Sequence, residues 1–238
     1  MENNMKERIK NIIRRTGTLW NESLTRNKVP SILNILEERA RLDSVDFLES
    51  KLNSGVLFRS VSAIRNYAIQ DINEAGLILE FGVFKGSSIR QFAKNLSSKN
   101  DQRTIVGFDS FEGLEEAWTG QVGGLKSKFS TLGVMPSVPS NVHLLKGLVQ
   151  DTLPKYLETV PNEQVAFIHC DLDTYTPTKF VLEYLKDRCV SGTVILFDEL
   201  YGYPNWRHHE YRALMEVFNQ DEYEYIAFCN LQCAIRFK

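Results

Sequence analysis

Cysteine is scarce: Cys170, Cys189, Cys229 and Cys233 are the only four in 238 residues, and no two form a CxxC pair. That density excludes a disulfide scaffold and offers no zinc spacing, so the thiols read as reduced and packed. No run approaches the ~18 apolar residues of a membrane span, and the start MENNMKERIK is too charged to lead into a signal peptide. The expectation is a cytoplasmic protein with no stable membrane insertion. Net charge is almost absent, with Lys plus Arg at 28 against Asp plus Glu at 30, so nothing draws the whole molecule to nucleic acid. Internal repeats, low-complexity tracts and Pro/Ser linkers are missing as well. What is present, 43% hydrophobic and 24% charged residues, suits one large folded domain with an extension.

The character of the chain changes near residue 75. Before it the pattern is helical: Ile32, Leu33, Ile35 and Leu36 follow a proline, and Val61, Ile64, Ala68 and Ile72 recur at helical spacing. Residues 1–74 therefore read as a helical cap or oligomerisation segment, through which the chain is expected to form a homo-oligomer. The first fifteen residues carry five basic and two acidic side chains around Ile9, Ile12 and Ile13. They suit an amphipathic helix packed on a partner or over the site, or, as the alternative, one lying on a membrane surface.

Residues 75–238 alternate short apolar runs with helical stretches. The runs LILEF (77–81), TIVGFD (104–109), VHLLK (142–146), VAFIHCD (165–171) and GTVILFDE (192–199) lack clean alternation, as parallel strands buried on both faces do. Helices are expected over 87–97, 151–159, 176–189 and 207–219, and YEYIAFC with QCAIRFK reads as a closing antiparallel hairpin. This is the grammar of an α/β fold, a Rossmann-like doubly wound sheet of seven strands with an N-terminal helical extension.

Chemistry-bearing residues fall at the strand ends. Glu80-Phe81-Gly82-Val83-Phe84-Lys85-Gly86-Ser87-Ser88 is a glycine turn opening a helix, where backbone can approach a ligand and free N–H groups face it. It lacks the third glycine of a dinucleotide fingerprint and the Gly-Lys-Ser/Thr of a P-loop, and resembles motif I of class I S-adenosylmethionine-dependent methyltransferases. Asp109, before Ser110-Phe111, can accept ribose hydroxyls while Phe111 covers adenine; the bland alternative is a turn-capping aspartate. Val149-Gln150-Asp151 resembles the adenine-edge segment of catechol O-methyltransferase-like enzymes, and Asp151 reads mainly as a helix cap. Asp171 and Asp173 end one strand and Asp198-Glu199 the next, so four carboxylates converge on one crevice and need a cation or shared protons; an oxygen-rich set suits Mg²⁺ better than Zn²⁺. Their alternative is a solvated acidic rim.

EFGVFKGSS, GFDSFEGL, GLVQDTLP, DLDTYTPT and FDELYGYPNWRHHEYRA together resemble the macrocin O-methyltransferase family, over about residues 75–238. That family methylates hydroxyls of sugars and related natural products with S-adenosylmethionine and magnesium. The resemblance implies cofactor contacts at Glu80, Phe81, Gly82, Ser88, Asp109, Ser110, Phe111, Val149, Gln150 and Asp171. It implies metal ligands at Asp171, Asp198 and Glu199, with Mg²⁺ or another divalent cation. Glu199 stands where the family usually has aspartate, and Leu172 where it has the glycine of D-G-D, which leaves the role of Asp173 open. Asp171 and His209 are the catalytic candidates, His209 lying in a segment that looks like one bordering the substrate; a plain surface histidine is the alternative. The glycine- and aromatic-bearing stretch between Leu114 and Asn141 reads as a substrate-side lid, or else as a surface excursion.

The implied reaction is attack of a sugar-like hydroxyl on the sulfonium methyl. Two other classes stay open at this stage. A nicotinamide oxidoreductase could use the same sheet and Asp109, and a non-catalytic S-adenosylmethionine-binding or assembly protein could keep the pocket alone.

Overall fold

The computed structural model describes residues 31–238. Two compact units divide the chain, Met1–Arg39 and Ala40–Lys238. The basic stretch around Ile9, Ile12 and Ile13 lies outside the described residues. Of the first unit, the described part is the opening of helix α1 (Ile32–Glu49), capped by Ser31, whose hydroxyl accepts from the Asn34 N–H at 3.2 Å. Ile32 and Leu33 are exposed there.

The second unit is built on one sheet. Its strands are β1 (Val56–Leu57), β2 (Leu77–Phe81), β3 (Ile105–Asp109), β4 (Val142–Lys146), β5 (Val165–Cys170), β6 (Cys189–Phe197), β7 (Tyr223–Cys229) and β8 (Gln232–Phe237). They lie in the order β1-β7-β8-β6-β5-β2-β3-β4, with β8 antiparallel to β6 and β7 and every other pairing parallel. Helices α2 (Val61–Ala68), α3 (Ser87–Ser98), α4 (Val149–Thr159), α5 (Tyr175–Leu185) and α6 (Glu210–Val217) connect them. One apolar layer gathers Ile64, Ala68, Ile89 and Phe92; the other gathers Leu153, Leu157, Val181, Leu182 and Leu214. Both faces are thus covered, which is why every residue of β2 and β5 is buried.

The α/β doubly wound architecture is as the sequence predicts, with an eighth strand in place of seven. That strand, β1, is two exposed residues paired parallel to β7, too short to leave a periodic signal. The helix expected over 176–189 stops at Leu185, where a 3₁₀ turn (Lys186–Arg188) feeds β6. The helix expected from 207 starts at Glu210 after a 3₁₀ turn (Trp206–His208).

The strand order reverses between β2 and β5: β2 leads to β3 on one side, while the parallel β5 lies on the other. Parallel sheets open a crevice beyond their carboxyl ends at such a switch point. Gly82 makes the crevice possible. Its φ is +87°, and a Cβ there would stand 1.7 Å from the Asp171 carbonyl oxygen, so only glycine lets the two strand ends pass.

Candidate active site

A cleft with about 640 Å³ of open space, part of it solvent, lies at this switch point. Gly82, Asp109, Ser110, Val149 and Asp171, all singled out from the sequence, line it. Asp109 does more than face the cleft. One carboxylate oxygen accepts from the Val83 and Phe84 N–H groups at 2.8 and 2.7 Å, and the other from the Phe111 N–H at 2.6 Å. It thereby ties the glycine turn after β2 to the end of β3, and little acceptor capacity is left for a ligand's hydroxyls.

Other expected contacts sit elsewhere. Phe81 stacks on Phe108 in the core at 4.9 Å, so only its backbone reaches the strand end, where its carbonyl accepts from the Asp171 N–H at 2.8 Å. Phe111 is fully buried, at a φ of +61°, and the aromatic residues that line the cleft are Phe84, Phe108 and Phe129 instead. No sequence pattern announces that inversion. Gln150 lies outside the lining and donates to both oxygens of Glu115 at 2.7 Å, holding that carboxylate at the cleft.

Glu80 and Ser88 belong to a buried chain beneath the cleft. The Ser88 hydroxyl donates to Glu80 Oε1 at 2.9 Å. His169 pairs through Nδ1 with Glu80 Oε2 at 3.2 Å and through Nε2 with Asp198 Oδ1 at 3.3 Å. Arg65 Nη2 donates to the same Asp198 oxygen at 2.9 Å, as does Gln232. Burial works against the His169 cation, but the two flanking carboxylates outweigh it and raise its pKa. Burial likewise works to raise Asp198, and the His169 and Arg65 partners overcome it and hold that carboxyl below the usual range. His169 could have been found from sequence, since it lies two residues before Asp171 at the end of β5 and alternation carries the two side chains the same way. Arg65 could not, being 133 residues from its partner.

Among the described residues the remaining carboxylates form no ion pair, and Lys128 acts on Asp173 only as a more distant charge. Desolvation first, and then Asp198 and its neighbours, push Asp171 well above the carboxylate range and Asp173 up to about 7. Glu199 and Glu210 rise well above it for the same reasons. Oδ1 of Asp173, Oε2 of Glu199 and Oε1 of Glu210 are buried without a hydrogen-bond partner. Ligand atoms of His169, Asp171 and Asp198 lie within 4.8 Å of one another, and so do those of Asp171, Asp173 and Glu199. The expected trio of Asp171, Asp198 and Glu199 is therefore divided between two sets that share Asp171. Asp198 turns toward Arg65 and His169, while its neighbour Glu199 turns toward Asp173. An oxygen-rich set with orphaned lone pairs fits a hard divalent cation. Glu210, fully buried on α6, is a member that no sequence signal marked.

His209 is buried as well, not a surface residue. Its Nε2 donates to the Thr119 carbonyl at 2.8 Å, which leaves Nδ1 as the acceptor, buried and unpartnered. Burial lowers its pKa, favouring the neutral ring. Tyr203 lies 6.2 Å away and packs edge-on against Trp118 at 5.3 Å. The long connection between β3 and β4 is held here by Asn205 on Thr119, and by Glu116, which accepts from the Thr176 N–H and hydroxyl at 2.8 Å at the start of α5.

Comparison with known proteins bears on this geometry. A search of curated protein sequences gives no match. Among solved structures, the chain is similar to CalS11, a calicheamicin methyltransferase, at 24% identity and a TM-score of 0.61 over 94% of this chain and 91% of that one. The apo form of CalS11, described as a TDP-rhamnose 3'-O-methyltransferase of calicheamicin biosynthesis, gives 26% identity and a TM-score of 0.53 over 94% and 93%. The O-methyltransferase NovP gives 20% and 0.56 over 74% and 79%. Among the described residues no helix is long and apolar enough to cross a membrane. The family profile described as "Methyltransferase domain" matches residues 79–200, just over half of the chain and the stretch that carries β2 to the end of β6; the chain belongs to that methyltransferase family.

Proposed function

We propose that the protein moves a methyl group from S-adenosylmethionine to a hydroxyl of a sugar or sugar-containing molecule, with a divalent cation, Mg²⁺ or a similar ion, held by carboxylates beside the cleft. The observation that carries this reading is the double membership of Asp171, which lines the cleft and belongs to both carboxylate sets. A sulfonium methyl in the cleft and an acceptor oxygen over the carboxylates would then meet at one residue. The macrocin-type motifs and the described activity of CalS11 support a sugar acceptor. A nicotinamide oxidoreductase finds no support in a methyltransferase domain.

Gly82 and Asp109 shape the wall against which the donor lies, and Glu115 edges it. Asp171, Asp173 and Glu199 are the residues that would hold the cation, with Asp198 beside Asp171 in the second set. A bound cation would lower the acceptor hydroxyl's pKa and fix its oxygen opposite the leaving sulfur. With Asp171 committed to the cation, the unpartnered Nδ1 of neutral His209 is a base available for the hydroxyl proton. Incubation with S-adenosylmethionine, Mg²⁺ and a panel of sugar nucleotides and glycosides should give products heavier by one methylene. Asp171→Asn should lower kcat by about a hundredfold. Turnover undiminished by exhaustive chelation would refute the cation, and a panel with no methylated product would refute the sugar acceptor.

A further inference from the structure

Between Glu116 and Asp151 the sequence has no Asp or Glu but three lysines, in a chain whose net charge is −2. The middle of this stretch is an apolar tip: Leu132 is 91% exposed, Val134 67% and Met135 50%. The backbone is held in this posture. Phe129 and Leu132 have φ of +63° and +54°, and the Phe111 carbonyl accepts from the Thr131 and Gly133 N–H groups at 3.1 and 2.8 Å. A left-handed leucine is uncommon, and here it points an apolar side chain into water.

Cations ring the tip. Lys146 Nζ donates to the Gly133 carbonyl at 2.8 Å, and Arg90 Nη1 to the Ser137 carbonyl at 3.1 Å. Lys128 lies 5.0 Å over Phe129, and Lys85 lies 5.1 Å over Phe84, which packs against Phe129. Glu112 is the carboxylate found at this place, beside Lys146 at Gly133. Apolar side chains at an exposed turn with a basic surround match the interfacial region of an anionic bilayer, where chains enter the acyl boundary and ammonium groups meet headgroups. A second copy docking tip to tip would set like charges against each other.

We propose that the Phe129–Ser137 tip docks the protein peripherally on an anionic membrane surface. Phe129 belongs both to the tip and to the cleft lining, so docking holds the cleft at the bilayer. The acceptor class this serves, a glycan carried on a lipid, rests on the methyltransferase reading above; the docking itself does not.

The test is co-sedimentation of the full chain with vesicles of phosphatidylcholine, with and without phosphatidylglycerol. Binding should be at least about tenfold stronger with phosphatidylglycerol and should weaken with added salt. The double substitution Leu132→Ser, Met135→Ser, at positions too exposed to unfold the protein, should weaken it about tenfold. The same variant should keep the parent's thermal unfolding midpoint, which shows that the loss is one of docking and not of folding. Absence of binding by the parent overturns the proposal, as does equal binding by the double variant, which would assign any membrane contact to the basic N-terminal stretch. Capture by an acidic soluble protein without vesicle binding also overturns it. Failure to methylate any glycoside, with vesicle binding intact, would count against the enzymatic reading and not against docking.

Discussion

Asp109→Ala is expected to weaken the protein before any cofactor is added. The carboxylate accepts three backbone N–H groups at 2.6 to 2.8 Å, and charge-assisted bonds contribute about 1.5–3 kcal/mol each. The side chain is half-buried and the freed N–H groups can reach water in the cleft, so the low end applies and part is recovered; a net loss of about 3 kcal/mol follows. For a domain of this size that is a fall of about 6–12 °C in Tm. Thermal unfolding of the ligand-free protein, beside calorimetric titration with S-adenosylmethionine, separates two roles. A carboxylate acting purely as a ribose acceptor would lose affinity and leave the apo Tm unchanged. A clamp loses both, because the glycine turn and the end of β3 are no longer tied together. An apo Tm within a degree or so of the parent would refute the reasoning.

Two further predictions concern the same crevice. Gly82→Ala should cost roughly 3 kcal/mol or more, because the added Cβ meets backbone and φ is +87°. Gly123→Ala, also at positive φ but with nothing within 4 Å, should cost only about 1 kcal/mol; equal losses in denaturant melts would contradict the steric argument. In metal-free protein, Asp173 stays protonated up to about 7 because of burial and then Asp198. The unfolded chain releases that proton near the ordinary carboxylate pKa, so stability should fall as pH rises from about 4 to about 7. Mg²⁺ should relieve the fall, and a metal-free Tm that rises across this window would rule out the carboxylate cluster as described.

Much of the fold is local information. A strand such as LILEF announces itself because a strand buried on both faces must be apolar along its whole length, and residues 77–81 match the observed β2 at both ends. VHLLK matches β4 as well, although that edge strand is only partly buried. The glycine turn, Asp109 and the carboxylates after β5 and β6 are legible for a similar reason, since parallel strands deliver their carboxyl ends to one edge. What sequence order does not encode is which way each side chain turns there. Consecutive Asp198 and Glu199 part company because Arg65, His169 and Gln232 draw one of them away. Phe111 is buried out of the cleft, and Phe84, Phe108 and Phe129 line it from separate parts of the chain. His209 becomes a buried neutral acceptor only because a carbonyl 90 residues distant meets its other nitrogen. The sequence by itself determined the sheet, the crevice and the kinds of group around it, through periodicity and strand polarity. Only the tertiary structure decided which carboxylates keep a cation of the protein's own and which are left with orphaned oxygens, because that depends on partners brought together from opposite ends of the chain.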